Sequence, residues 1–145
     1  MSATGGTTDR QIGVELFNAT WRLIESRADD ELMLHMAHAS AYHWAVAPEC
    51  LPENRARGEW LVSRVSALCG LVDAARLHAE SCLGWCERHG LADWDLAFAY
   101  EALARAAALA RDSEECARFV ERARAVAIED ADDRELLERD LDSLA

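Results

Sequence analysis

The amino-acid sequence predicts an all-α fold made of antiparallel helix pairs. Apolar residues recur with helical spacing in six segments, near residues 10–28, 29–47, 54–69, 72–89, 94–111 and 113–128. None of these segments has the alternating pattern of a β-strand. A copy of the sequence shifted by 41 residues places three helix pairs in register, near 10–47, 54–89 and 94–128. Because the connections are short, successive helices are expected to be antiparallel neighbours.

Residues with turn and capping preferences mark the ends of these segments. Asp29 and Asn54 are predicted N-caps, since their side chains can accept hydrogen bonds from the first turn of a helix. Gly70 and Gly90 stand where helices are expected to end. Pro52 and the preceding Pro48 bracket a predicted loop.

The two ends of the chain differ from the repeats. Residues 1–9 are predicted to be a disordered leader, and residues 10–145 a single helical domain. A short acidic segment near 131–143 carries leucines on one face, which predicts a capping helix on the last pair. Its leucines are Leu136, Leu137, Leu141 and Leu144.

Composition excludes several classes of function. A formal net charge of −12 argues against general binding to nucleic acid or to anionic membranes, because both require a basic surface. There is no secretory signal and no apolar stretch long enough for a membrane helix. Five cysteines without a CxxC pair suit a reducing compartment, so we expect a cytoplasmic protein without a cofactor.

The repeat register assigns a packing role to the helical cysteines. Cys82 falls in register with Ala41 and Ala123, and Cys116 with Ala75. Buried thiols behave as small apolar groups, so these positions are expected to be close contacts between helices. A metal site is the alternative for one helix face, which carries His78, Cys82, Cys86 and His89.

The second helices of the repeats resemble those of tetratricopeptide (TPR) proteins. The resemblance rests on small or apolar residues at Ala75, Ala79 and Cys82 and again at Cys116, Val120 and Ala123. The chain also resembles a bacterial family of TPR-like proteins with strings such as "AHASAYHW", "ARGEW" and "DWDLAFAYEALARA". The resemblance implies a right-handed solenoid of about six helices plus the cap, and it implies no activity.

In stacked helix pairs, the first helices line a concave groove. On the first helix, the expected stripe is Leu16, Ala19 and Leu23. On the first helices of the second and third pairs, the corresponding stripe carries arginine and aromatic side chains. The predicted binding residues are Arg57, Trp60, Arg64, Phe98, Tyr100, Glu101 and Arg105. Guanidinium groups can hold a carboxylate with two hydrogen bonds, and flat rings offer stacking surfaces. A simple pairing of Glu101 with Arg105 on one helix is the alternative.

The histidines form a second candidate pocket. His35, His38 and His43 lie on one helix within an arc of roughly 140° at 100° per residue, too wide for one metal ion. His78 lies in the following pair. The favoured role for these imidazoles is packing and hydrogen bonding. Contact with a ligand and half of a metal site remain the alternatives.

These observations lead to a binding hypothesis. The protein is expected to bind an acidic or carboxylate-bearing peptide or partner-protein segment in the groove, as a monomer or homodimer. The alternative is a small-molecule sensor or enzyme, with or without a metal, that uses His38, His78, Arg64, Tyr100 and Glu101. A third hypothesis is an assembly role through an exposed helix face.

Overall fold

The computed structural model describes residues 6–144. Within this range it contains seven α-helices and no strand, which confirms the predicted all-α class. The helices are α1 (Asp9–Ser26), α2 (Asp30–Val46), α3 (Pro52–Leu68), α4 (Val72–His89), α5 (Asp93–Leu109), α6 (Ser113–Ala125) and α7 (Ala131–Asp142). Residues 1–5 of the predicted leader, and residue 145, lie outside the described residues.

The helices pack in the order in which they follow one another along the chain. The most extensive contacts join α1 to α2, α3 to α4 and α5 to α6. Neighbouring pairs meet where α2 contacts α3 and α4 contacts α5, and α3 also packs directly against α5. The helix α7 contacts α5. The first helices of the second and third pairs therefore lie side by side.

Most of the predicted helix ends are found in the structure. The Asp29 side chain accepts a hydrogen bond from the Leu32 amide at 2.9 Å, as expected of an N-cap. Gly70 and Gly90 follow the ends of α3 and α4 with φ of 75° and 64°. This left-handed backbone is readily adopted by glycine.

The prediction that Asn54 caps α3 was wrong. The helix begins two residues earlier, at Pro52, because proline is well suited to the first turn, where its missing N–H has no helical partner. Asn54 lies inside that first turn, and its Oδ1 accepts a hydrogen bond from the Leu51 amide at 2.9 Å. The predicted leader also ends early, because Thr8 and Gln11 form a capping box at the start of α1.

Small side chains fill the contacts between helices, as the repeat register predicted. Cys82 and Cys116 are 2% and 8% exposed. Ala123, in register with Cys82, and Ala75, in register with Cys116, are also buried. Thiols and methyl groups at these positions let the helix backbones approach closely.

The last helix is held by part of its leucine face. Leu137 and Leu141 are fully buried against the third pair, in a cluster with Ala97 and Ala123. Leu136, one residue earlier, is partly exposed on another side of the helix. The helix therefore covers the last pair and also presents a second face toward the first helices.

None of the helices within residues 6–144 combines the length and the apolar character needed to cross a bilayer.

One glycine allows a close approach between α1 and α2. Ser40 on α2 donates a hydrogen bond to the carbonyl oxygen of Gly13 at 2.8 Å. The ring of Trp44, one turn further along, lies so close that a Cβ on Gly13 would be 2.8 Å from its Cδ1. A side chain at residue 13 would push the tryptophan ring out of place.

We expect Gly13→Ala to lower the free energy of unfolding by about 1–3 kcal/mol, the usual cost of overpacking. The matched control is Gly84→Ala in α4, whose new Cβ would meet only the mobile end of Arg88 at 2.9 Å. There the better helix propensity of alanine should stabilise the protein by up to ~1 kcal/mol. Urea unfolding of both variants measures the difference. Equal effects at the two positions would contradict the close packing of Trp44 on α1.

Candidate binding site

A pocket of about 430 Å³ opens between α1, α3, α5 and α7. We call it the aromatic pocket. It is lined by Phe17, Trp21, Ala56, Arg57, Trp60, Arg64, Cys82, Trp94, Asp95, Phe98, Leu136 and Asp140. Its volume lies in the range of small-ligand sites, roughly 300–1,000 Å³.

Aromatic rings in mutual contact form the walls of the pocket. Trp21 stacks on Trp60 with ring centroids 5.6 Å apart. Phe98 meets the edge of Trp60 at 5.9 Å and that of Trp94 at 5.3 Å. Such offset and edge contacts are the favoured geometries of aromatic pairs. Trp60 also packs against the apolar cores of several helices, so this wall is rigid.

A buried carboxylate supports the pocket from behind. Glu101 on α5 is fully buried. Its Oε1 accepts a hydrogen bond from Arg105 Nε at 2.8 Å and a longer one from Arg64 Nη1 at 3.4 Å. Its Oε2 accepts one from Trp60 Nε1 at 3.4 Å. The carboxylate of Glu101 thus orients the Trp60 ring and the Arg64 guanidinium group, both of which face the pocket.

Arg64, whose side chain is 16% exposed, is only loosely coordinated. Besides Glu101, its Nη1 has an acidic neighbour in Asp140 of α7, at 3.5 Å. Charge-assisted hydrogen bonds are usually about 2.7–2.9 Å. Its Nε is buried and has no hydrogen-bond partner in the described part of the chain. Burial, reinforced by the positive charge of Arg105, lowers the pKa of Arg64. One donor of this guanidinium group is therefore unpaired, and its contacts with the two acids are long.

Arg57 stands at the rim with its charge already balanced. Its Nε and Nη2 donate to the two carboxylate oxygens of Asp95 at 2.9 and 3.1 Å. The hydrogen bond to Asp95 raises the pKa of Arg57. The guanidinium also lies 5.6 Å from the ring centroid of Trp94. The charged groups around the pocket are three arginines and three acids, so their formal charges cancel. They are the pair Arg57–Asp95 and the group of Arg64, Arg105, Glu101 and Asp140.

The structure brings together most, but not all, of the groove residues predicted from the sequence. Arg57, Trp60, Arg64 and Phe98 line the aromatic pocket, and Glu101 and Arg105 lie directly behind it. Tyr100 does not line the pocket. Its ring stacks on Phe119 of α6, with centroids 6.5 Å apart.

The prediction for the first helix was wrong in its details. Phe17 and Trp21 line the pocket, whereas the expected Leu16, Ala19 and Leu23 do not. At a shift of 41 residues, Trp21 falls in register with Val62 and Leu103, which are smaller and buried. A tryptophan at that position reaches past the core to the pocket. The pocket residues of α7 and the start of α5 were also missed, since no repeat counterpart marks them.

Two of the histidines meet on another face of the molecule. The ring of His38 lies edge-on to that of His78, with centroids 5.5 Å apart. His78 Nδ1 lies 2.6 Å from Glu59 Oε2, so the carboxylate fixes the orientation of that imidazole. Burial, together with the neighbouring His78, lowers the pKa of His38. Neither ring lines the aromatic pocket.

The other two predicted pocket histidines lie apart from this pair. His43 Nδ1 lies 2.8 Å from Asp9 Oδ1 and ties α2 to the start of α1. His35 is largely exposed, with Glu31 at 3.9 Å. The four histidines therefore do not form one pocket. Within residues 6–144, no group of three or more histidine, cysteine or acidic residues is arranged to hold a metal ion.

The cysteine in the pocket wall is held as a neutral thiol. A hydrogen bond to Cys86 and burial raise the pKa of Cys82 well above its usual value. A protonated thiol is a poor nucleophile and packs as an apolar group. Cys82 therefore contributes shape to the pocket, and no reactive charge.

Comparisons with family models, with curated proteins and with solved structures give no match to this sequence. The geometry of the aromatic pocket is thus the basis for a functional proposal.

We expect Glu101→Gln to lower the free energy of unfolding by about 3–5 kcal/mol, because it leaves Arg64 and Arg105 buried without their counter-charge. The matched control is Glu138→Gln on α7, whose partner Arg124 is exposed. An exposed pair contributes at most ~1 kcal/mol. Urea denaturation measures both. Similar small losses in the two variants would show that Glu101 does not support the pocket.

Proposed function

We propose that this chain is a binding module of TPR-like helix pairs whose site is the aromatic pocket. The ligand is a peptide or partner-protein tail that presents a flat or bulky apolar group beside a single carboxylate. The observation that carries the proposal is the position of Arg64, a loosely coordinated guanidinium in the wall of a pocket built from aromatic rings.

The rings supply most of the binding energy. Burial of apolar surface contributes roughly 25 cal/mol per Å², and aromatic pairs add about 0.5–1.5 kcal/mol beyond the area term. The Trp60 ring is fixed by its contacts with Trp21, Phe98 and Glu101. A ligand therefore meets a surface that needs no ordering on binding, which lowers the entropic cost.

Arg64 supplies orientation. A carboxylate placed against it would gain charge-assisted hydrogen bonds in a partly buried setting, where they are stronger than in water. A guanidinium fork also fixes the direction of a carboxylate, which a lysine ammonium group does not. The apolar group and the acid of the ligand would then be held at a fixed separation.

Charge balance supports one carboxylate over a strongly acidic segment. The arginines of the pocket are matched by Asp95, Glu101 and Asp140, so the site has no excess positive charge. The chain as a whole carries a formal charge of −12 and repels polyanions at long range. Local hydrogen bonding to Arg64 can still overcome this repulsion for one acidic group.

A shallow extension of the pocket favours a peptide. A neighbouring depression of about 180 Å³ shares Phe17 and Arg57 with the aromatic pocket and continues along α1 and α3. A ligand longer than the pocket could lie in it. Asn18 and Asn54 line this depression and offer amide groups to a peptide backbone.

A free small molecule with the same chemistry is the second candidate. The aromatic pocket alone has the volume of a small-ligand site. An enzyme that combined His38, His78 and Tyr100 with Arg64 and Glu101 is less well supported, because the first three residues do not line this pocket.

We expect 2-naphthoate, a flat ring system with one carboxylate, to bind the wild-type protein. With about 13 non-hydrogen atoms at roughly −0.3 kcal/mol each, its Kd should be near ~1 mM or tighter. Trp94→Leu should weaken binding at least ~5-fold, since Trp94 forms one wall. Trp85→Leu is the matched control, because Trp85 is also half-buried and packs against a core cluster, yet it lies between Arg55 and Arg88 and does not line the pocket. Ligand-observed NMR titration measures all three proteins.

Trp94 is preferable to Trp60 and Arg64 for this test, since Trp94 packs against one apolar core cluster, whereas Trp60 packs against four and Arg64 pairs with the buried Glu101. Absence of saturable binding to the wild type, or an equal loss in Trp85→Leu, would contradict the proposed site. A tetrapeptide that ends in phenylalanine with a free carboxylate separates the two candidate ligands. Tighter binding than 2-naphthoate supports the peptide, and weaker binding supports the small molecule.

A further inference from the structure

The helix α7 uses different faces for anchoring and for the pocket. Leu137 and Leu141 are fully buried and hold the helix against the third pair. On the outer side, Glu138 pairs with Arg124 of α6 at 2.9 Å. Leu136 and Asp140, one turn apart, line the aromatic pocket. Residues other than Leu136 and Asp140 therefore anchor α7.

Asp140 lies beside Arg64, at the position that the carboxylate of a bound ligand would need. Its Oδ2 lies 3.5 Å from Arg64 Nη1, and its side chain is 18% exposed. The contact is too long for a strong charge-assisted hydrogen bond. Glu101 contacts the same nitrogen from behind the pocket, so Asp140 is the pocket-side acid on Arg64.

We propose that Asp140 is a specificity-determining residue, which competes with the carboxylate of the ligand for Arg64 and so sets the charge that the pocket accepts. This inference rests on the proposed function of the aromatic pocket. With Asp140 in place, a ligand carboxylate meets a guanidinium flanked by two acids. Asp140 then reduces the gain that a singly charged ligand makes at Arg64, and the pocket rejects ligands with more negative charge.

The experiment compares two probes of nearly the same shape, 2-naphthoate and the neutral 2-naphthalenemethanol, on the full chain. Asp140→Asn removes the charge with almost no change in size. It should tighten 2-naphthoate by about three- to tenfold and change 2-naphthalenemethanol less than ~2-fold. Asp140→Glu should restore the wild-type ratio of the two dissociation constants. The control is Asp142→Asn on the same helix as Asp140. Asp142 pairs with Arg124 of α6 in an exposed contact, so this change should leave the ratio unchanged.

The outcomes separate this inference from the proposed function. If the wild type binds neither probe, the pocket proposal fails, and the role of Asp140 fails with it. If the wild type binds but Asp140→Asn leaves the ratio unchanged, only the role of Asp140 is overturned. Equal tightening of both probes would likewise overturn it, because that result indicates a wider pocket mouth and not a charge effect. Urea unfolding of each variant verifies that the compared proteins are folded.

Discussion

The buried carboxylate of Glu101 is the constraint on which the pocket depends. A carboxylate without exposure to water costs several kcal/mol unless it is paired and hydrogen-bonded. Arg105 satisfies it from within α5, and Arg64 and Trp60 do so from α3. The same contacts that offset this cost also fix the ring and the guanidinium group that line the pocket. Stability and binding geometry therefore rest on one group, and a change in Glu101 would alter both together.

Small side chains lie at the close contacts between helices, and large side chains line the aromatic pocket. Where helices meet closely, the contacts are glycine, alanine and cysteine, as at Gly13 beneath Trp44 or at Cys82. Where the first helices of the pairs face α7, large rings such as Trp60 and Trp94 stand instead. These rings enclose the cavity of about 430 Å³. α7 covers one side of this cavity, because its buried leucines anchor it on the third pair.

The sequence predicts the helices well and the pocket only in part. Periodicity and caps located the seven helices found within residues 6–144, with an error at Asn54 because proline competes for the first turn. The stripe of Arg57, Trp60, Arg64 and Phe98 was predictable, since the side-chain spacing along a helix fixes which residues share a face. The contributions of Trp21 and Asp140 were not, because a single sequence does not specify how far a large side chain reaches or which surface a terminal helix covers.

Polar contacts between the first helices of the second and third pairs join residues that are separated by about one repeat length. Trp60 and Glu101 are 41 residues apart, the same separation as the repeat, and they contact each other. Arg57 and Asp95, 38 residues apart, do the same near the beginning of their helices. Arg64 and Glu101 are 37 residues apart, so each of these two arginines meets an acid that lies about one helical turn before its own register position. Such pairing keeps a neutral pocket in a strongly acidic chain, and its specificity must come from shape and from the few donors, above all those of Arg64, that are not fully used.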